Sequence, residues 1–201
     1  MPTPIAIFPD LHLHEHEQFA RQENGMNSRL MDGLRVVKHI LDTAKSAGCK
    51  SVLVPGDWFH DRKQIRLPVL EVSEEILKYA KKININVFEL IGNHDISRDG
   101  HSNSVEGQRF TDVWTEPGVF TVDGWKIGAI PWTDDAATVK KGLTARADFY
   151  IGHIGVSGSK VGPSDFEIPG HIEEDIFAKK PVFLGHYHKP QQLKGTNTHY
   201  V

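Results

Sequence analysis

Two kinds of apolar pattern alternate along the chain. Short runs rich in Val, Ile, Leu and Phe break off abruptly into polar residues. Longer stretches carry an apolar side chain every three or four positions. The first pattern reads as buried strand and the second as amphipathic helix. Strands are expected at 3–9, 50–55, 86–91, 149–153 and 181–184. Leu30, Leu34, Val37, Leu41 and Ala44 predict a helix from a cap at Asn27 or Ser28 to about Ala47, with Gly48 as its stop. Pro68 suits the first turn of a second helix, which carries Leu70, Ile76, Leu77 and Ala80 to about Lys81. This β-α-β-α-β order implies parallel strands joined by right-handed crossovers.

Beyond residue 95 the pattern changes. Residues 96–112 are polar and read as a long loop. Asp123-Gly124, between 119–122 and 125–130, is a strong hairpin signal and turns the second half toward antiparallel strands. Short helices are expected around 134–143 and 172–178. A final hairpin is expected from 191–194 and 198–201, around Gly195-Thr196-Asn197. Residues 155–163 are rich in Gly and Ser and read as a flexible segment that could cover a site.

Five strand-like runs end in the same way. Asp10 and His12 follow the first, and Gly56-Asp57 with His60 follow the second. Gly92-Asn93-His94-Asp95 follows the third, Gly152-His153 closes the fourth, and Gly185-His186 with His188 closes the fifth. In an α/β fold the C-terminal strand ends converge on one edge of the sheet, where ligands bind. These side chains would therefore form one cluster. His14 and His16 read as part of a solvated loop at 10–26, and His39 as a helical residue without a chemical role. Arg62, Lys63 and Arg66 suit a phosphate backbone, although a solvated basic loop accounts for them equally well.

Composition narrows the chemistry. The chain has 201 residues, 39% hydrophobic and 24% charged, as expected of one globular domain spanning 1–201. A net charge of −3 gives no global attraction to nucleic acid. The single cysteine, Cys49, excludes an internal disulfide and thiolate-rich metal sites, and reads as a small apolar residue behind a helix. No signal peptide or membrane-length apolar run is seen, so a cytoplasmic protein without membrane contact is expected. Of the twelve histidines, six lie in the strand-end clusters. Carboxylate, imidazole and amide donors without thiolates suit divalent ions such as Mn2+, Zn2+ or Fe2+. Asp57, at the end of a central strand, is the candidate to bridge two ions. Two ions about 3.5–4 Å apart can hold a bridging hydroxide for in-line attack on phosphorus.

The ordered set Asp10-x-His12, Gly56-Asp57, Gly92-Asn93-His94-Asp95, Gly152-His153 and Gly185-His186-x-His188 resembles the calcineurin-like metallophosphoesterase superfamily over nearly the whole chain. The resemblance implies an α/β fold, a four-layer α-β-β-α sandwich of two mixed sheets flanked by helices. It implies one metal on Asp10, His12, Asp57 and His188, and a second on Asp57, Asn93, His153 and His186. His94 would stand at the leaving group. The Gly56-Asp57-Trp58-Phe59-His60 loop and Gly185-His186-Tyr187-His188-Lys189-Pro190-Gln191 are similar to the SbcD-type DNA-repair nucleases and their phage relatives. In that branch the histidine matching His60 helps position a phosphodiester.

The implied function is a two-metal phosphodiesterase acting as a DNA exonuclease or endonuclease. The alternatives are a small-substrate phosphomonoesterase or cyclic-nucleotide phosphodiesterase, and a catalytically silent binding scaffold. The branch usually carries a DNA-gripping cap after the core and a segment for an ATPase partner, and neither is read in this chain. Residues 198–201 read as a strand in which the chain stops. Tyr200 and Val201 are therefore expected at a sheet edge, open to self-association or to a strand from a partner.

Overall fold

The computed structural model describes residues 2–162, 166–168, 170, 172–178 and 180–201. In chain order the main elements are β1 (Ile5–Ile7), α1 (Ser28–Ser46), β2 (Ser51–Val54), α2 (Leu67–Lys82), β3 (Asn86–Leu90) and β4 (Asp112–Trp114). They continue with β5 (Gly118–Val122), β6 (Trp125–Ile130), α3 (Ala136–Thr144), β7 (Phe149–His153), β8 (Val182–Gly185), β9 (Gln191–Gln192) and β10 (Thr198–Tyr200). The expected helix at 172–178 is a single 3-10 turn, Glu174–Phe177.

β1, β2, β3 and β4 form one sheet in that order, with every pairing parallel. The second sheet runs β9-β10-β8-β7-β6-β5 and is mixed. Its β6, β7, β8 and β10 are mutually parallel neighbours, and β5 and β9 run antiparallel at the two ends. The period-2 alternation of each strand sorts its side chains between two layers. On β2, Val52 and Val54 pack toward α1 and α2, while Leu53 faces the other sheet. On β7, Ile151 faces inward against Leu53 and Leu90, while Tyr150 packs on the α3 side. The result is helix, sheet, sheet, helix. Strands buried on both faces explain why their sequences are continuously apolar.

Local chemistry sets the element ends. Asn27 caps α1, its Oδ1 accepting from the backbone N–H of Arg29 and Leu30 at 2.9 and 3.1 Å. Asp135 caps α3 in the same manner. Asp123 and Gly124 both adopt positive φ, the geometry of a tight hairpin turn. No helix among the described residues is long and apolar enough to cross a membrane.

Three expectations change. β4 was not expected, and its first residue Asp112 falls in the expected loop, because a three-residue strand beside one neighbour leaves almost no pattern. The 155–163 segment forms turns and half of a short antiparallel pair, Lys160–Val161 with Phe166–Glu167, and Pro163 lies outside the described residues.

The third concerns the chain's last strand, and here the expected sheet edge is overturned. β10 lies between β8 and β9, registered Leu184↔Tyr200 on one side and Gln191↔Tyr200 on the other. The turn at 193–197 folds the two-residue β9 back over it, and Tyr200 is buried. Self-association through that strand falls with the edge. The Tyr200 hydroxyl donates to the Ile154 carbonyl at 2.7 Å and accepts from the Val156 N–H at 3.0 Å, fixing the chain just beyond His153. Tyr200→Phe should therefore lower unfolding stability by about 1–3 kcal/mol, since it strands two buried backbone groups. Denaturant titration measures this, and an unchanged midpoint would contradict it.

Candidate metal centre

Every strand that carries a motif ends at the same edge of the molecule, and the loops that follow bend back over that edge. The bends are tight. Asp10, His12, Asp57 and His186 have φ of 56°, 47°, 60° and 103°. Four non-glycine residues in the left-handed region is a concentration of strain typical of functional sites. Gly56, with φ of 91°, sits where a Cβ would strike the His153 ring, and a Cβ on Gly92 would strike Asp57. The two glycines let three loops meet at van der Waals contact.

The structure brings Asp10, His12, Asp57, Asn93, His153, His186 and His188 together. Asp57 lies at the middle. Its Oδ1 accepts from the His94 backbone N–H at 2.8 Å. Its Oδ2 faces His12 Nε2 at 3.4 Å on one side and His153 Nε2 at 3.3 Å on the other. On the His12 side, His12 Nε2 and His188 Nε2 are 3.0 Å apart, and Asp10 Oδ1 is 4.0 Å from His188 Nε2. On the His153 side, Asn93 Oδ1 is 2.9 Å from His153 Nε2 and 3.0 Å from His186 Nδ1. Asp10 is itself oriented by the His186 N–H, 3.0 Å from each carboxylate oxygen.

These donor sets fit metal ions. Donors about 2.0–2.2 Å from one ion lie about 3.0–3.5 Å from each other, close to the spacings on both sides of Asp57. The tautomer of His153 points the same way. Its Nδ1 donates to the Pro55 carbonyl at 2.7 Å. The neutral ring therefore aims its Nε2 lone pair at two oxygens, Asp57 Oδ2 and Asn93 Oδ1. Three acceptors converging in a buried place call for a cation or a proton between them.

The family model of the calcineurin-like phosphoesterases matches residues 3–200. The chain belongs to that family. Its members are metal-dependent hydrolases. Among solved structures, the chain is similar to nuclease MPE of Pseudomonas putida, at 16% identity and a TM-score of 0.43, over 82% of this chain and 67% of that one. It is similar to an archaeal phosphodiesterase at 14% identity and a TM-score of 0.43, over 82% and 81% of the two chains. A protein of unknown function from Aquifex aeolicus gives 16% identity and a TM-score of 0.38, over 74% and 77%. No curated protein sequence matches the chain.

In this phosphoesterase, burial and charge divide the site's protons. Burial pushes His12 down to about 3 against the pull of Asp57. Burial and the neighbouring His153 push His186 down to about 3. Both rings are thus neutral at pH 7, the form that binds metals. Burial works against charge on Asp57, but His153, the His94 N–H and His12 hold it well below the usual carboxylate range. Burial also opposes charge on His153, and the carboxylates of Asp57 and Asp10 outweigh it, holding His153 up to about 9. Beneath the site, Glu89 is fully buried, and burial with the charges of Asp95, Asp57 and Asp10 pushes it well above the usual range. Burial and its neighbours thus all oppose a further negative charge there.

His94 and His60 stand beside the His12 group. His94 Nδ1 donates to the His60 carbonyl at 2.5 Å, which leaves Nε2 as its free nitrogen. The two rings stack at 5.3 Å, and His60 Nδ1 is 3.3 Å from His12 Nδ1.

Three participants were not singled out from the sequence. His14 and His16 pack their rings 5.1 Å from that of His60, although they read as a solvated loop. Their alternation with His12 was the available signal. Trp132 lies 5.0 Å from the His186 ring, with no motif to mark it. Asp95 was visible in its motif but had no assigned role. Its buried carboxylate accepts from the N–H groups of Asp57 and Gly92 at 2.8 and 2.9 Å and clamps the two loops together.

A consequence follows for the metal-free protein. The His153 pKa rises from an ordinary 6.5 to about 9 on folding. Between those values the folded chain keeps a proton that the unfolded chain has lost. The stabilisation is complete below about pH 6.5 and is lost as pH rises through about 9. Chelator-treated protein should melt at lower temperature at pH 9 than at pH 6.5. Saturating Mn2+ should abolish or reverse the trend where it takes the place of that proton. Equal melting temperatures in chelator at both pH values would contradict the Asp57–His153 coupling.

Proposed function

We propose that this phosphoesterase is a two-metal phosphodiesterase of nuclease type, whose residues 1–201 form one catalytic core. The observation that carries the reading is the His60–His94 pair. Two stacked imidazoles stand on one side of the metal-ligand cluster, and the carbonyl of one sets the tautomer of the other. A monoester needs a single group at its leaving oxygen. A second imidazole there suits a diester, whose other arm must also be positioned.

In this reading Asp10, His12, Asp57 and His188 hold one divalent ion, most simply Mn2+, and Asp57, Asn93, His153 and His186 hold the other. The ions, when bound, would polarise the phosphoryl oxygens and lower the pKa of water for in-line attack. The chain's own residues do the rest. Asp57 fixes the spacing of the two donor groups. His94 presents Nε2 to the leaving oxygen and, as the imidazolium with Nδ1–H kept on the His60 carbonyl, gives that oxygen its Nε2 proton and is left neutral. His60 steadies His94 through its carbonyl and offers its ring to the diester. Lys63 and Arg62 follow directly and favour a polyanion.

The second reading is a small-substrate phosphomonoesterase or cyclic-nucleotide phosphodiesterase. It is favoured by the net charge of −3 and by the pairing of Arg66 with Glu15 at 3.1 Å, which neutralises one of the three loop cations.

A substrate panel with Mn2+ separates the two: single-stranded DNA, duplex DNA, bis-p-nitrophenyl phosphate and p-nitrophenyl phosphate. Diesters should be preferred. His60→Ala should lower kcat/KM on the diester by about tenfold more than on the monoester. Equal losses on both substrates, or a preference for the monoester, would support the second reading.

A further inference from the structure

Lined in part by His94 is a pocket of about 290 Å³ that nothing above employs. One wall is the loop after β2, residues 61–65, and the other is the 96–104 part of the loop after β3. The walls are tied together. Arg62 Nε donates to the Ile96 carbonyl at 3.0 Å. Ser104 returns to the Asp95 carbonyl through its N–H at 2.8 Å and its hydroxyl at 3.2 Å. The pocket is thus a braced feature of the fold, and it opens onto the one histidine whose free nitrogen is assigned to the leaving oxygen.

We propose that this pocket is the subsite for the leaving arm of the diester, and that the arm it takes is a nucleoside. The inference rests on the diesterase reading. Size limits the occupant, because the cavity lies at the small end of the range for ligand sites, about 300–1,000 Å³. It has room for one nucleoside and none for a duplex. Chemistry narrows it further. Ile65 and Leu70 supply apolar surface for the face of a base, and Gln64 brings an amide group to its edge. Lys63, exposed at the rim, stands where the next phosphate of a longer strand would pass. Hydrophobic surface with a few polar groups is the usual composition of a site that orients a small ligand. A leaving arm seated here holds its ester oxygen beside His94, and such positioning lowers the barrier without any new chemical group.

The experiment has two arms. Adenosine is titrated into isotopically labelled, Mg2+-loaded protein, and backbone amide shifts are followed by NMR. Saturable shifts confined to 61–65 and 96–104 are expected. Ser102→Trp, which fills the pocket from an exposed position, and Lys63→Glu are then compared with the parent. Ser102→Trp should weaken adenosine binding by about tenfold or more. Both variants should lose about tenfold more kcat/KM on thymidylyl-thymidine than on bis-p-nitrophenyl phosphate. Absent shifts, shifts elsewhere, or equal losses on the two diesters would overturn the proposal. Hydrolysis of bis-p-nitrophenyl phosphate by the parent protein reports the diesterase reading separately. Shifts at these loops in a protein that cleaves no diester would overturn that reading, and the leaving-arm role with it, while retaining the nucleoside site.

Discussion

The carboxylate of Asp57 is almost fully removed from water and still carries its charge. A charge in that position must be met on every side. One oxygen is met by the His94 backbone N–H, and the other stands between two imidazoles from loops more than a hundred residues apart in the chain. Much of the local architecture follows from this requirement. Asp57 reaches its position only with a left-handed backbone, and Gly56 and Gly92 leave the space it needs. Asp95 then holds the Asp57 and Gly92 N–H groups so that the arrangement cannot relax. The strain of these loops is balanced by strands whose side chains are buried on both faces.

The two sheets meet this requirement differently. The parallel sheet contributes Asp10, Asp57 and Asn93 from β1, β2 and β3, the carboxylate and amide part of the donor set. The mixed sheet contributes His153 and His186 from β7 and β8, neighbours registered at Gly185↔His153. His12 and His188, in the loops beyond, close the group from opposite sides. The facing sheets thus bring oxygen donors and most of the nitrogen donors to a common edge. Placing Tyr200 inside the mixed sheet adds to this, since its hydroxyl holds the chain that leaves His153.

Much of this was legible in the sequence because strand ends are marked twice, by the loss of apolar residues and by the arrival of ligand-type side chains. α1 and α2 were equally plain, since their apolar spacing and their Asn27 and Pro68 starts agree. What escaped notice was set by long-range contact. β4 is recognisable only by its pairing with β3. The final hairpin was expected, but that β10 also pairs with β8, so that β9 covers its outer side and residues 198–201 form no edge, shows only in the pairing. Trp132 joins the site through a ring contact that no spacing rule encodes, and the alternation of His14 and His16 with His12 does not by itself bring them to His60. The tautomers of His94 and His153, set by the carbonyls of His60 and Pro55, likewise require coordinates.

In the proposed function, Asp57 Oδ2 stands between two metal positions. Anomalous diffraction from crystals grown with Mn2+ tests it most directly. Two peaks are predicted, one beside His12 and His188 and the other beside Asn93, His153 and His186, both within coordinating distance of Asp57. A single peak, or two peaks of which one lies away from Asp57, would contradict the account.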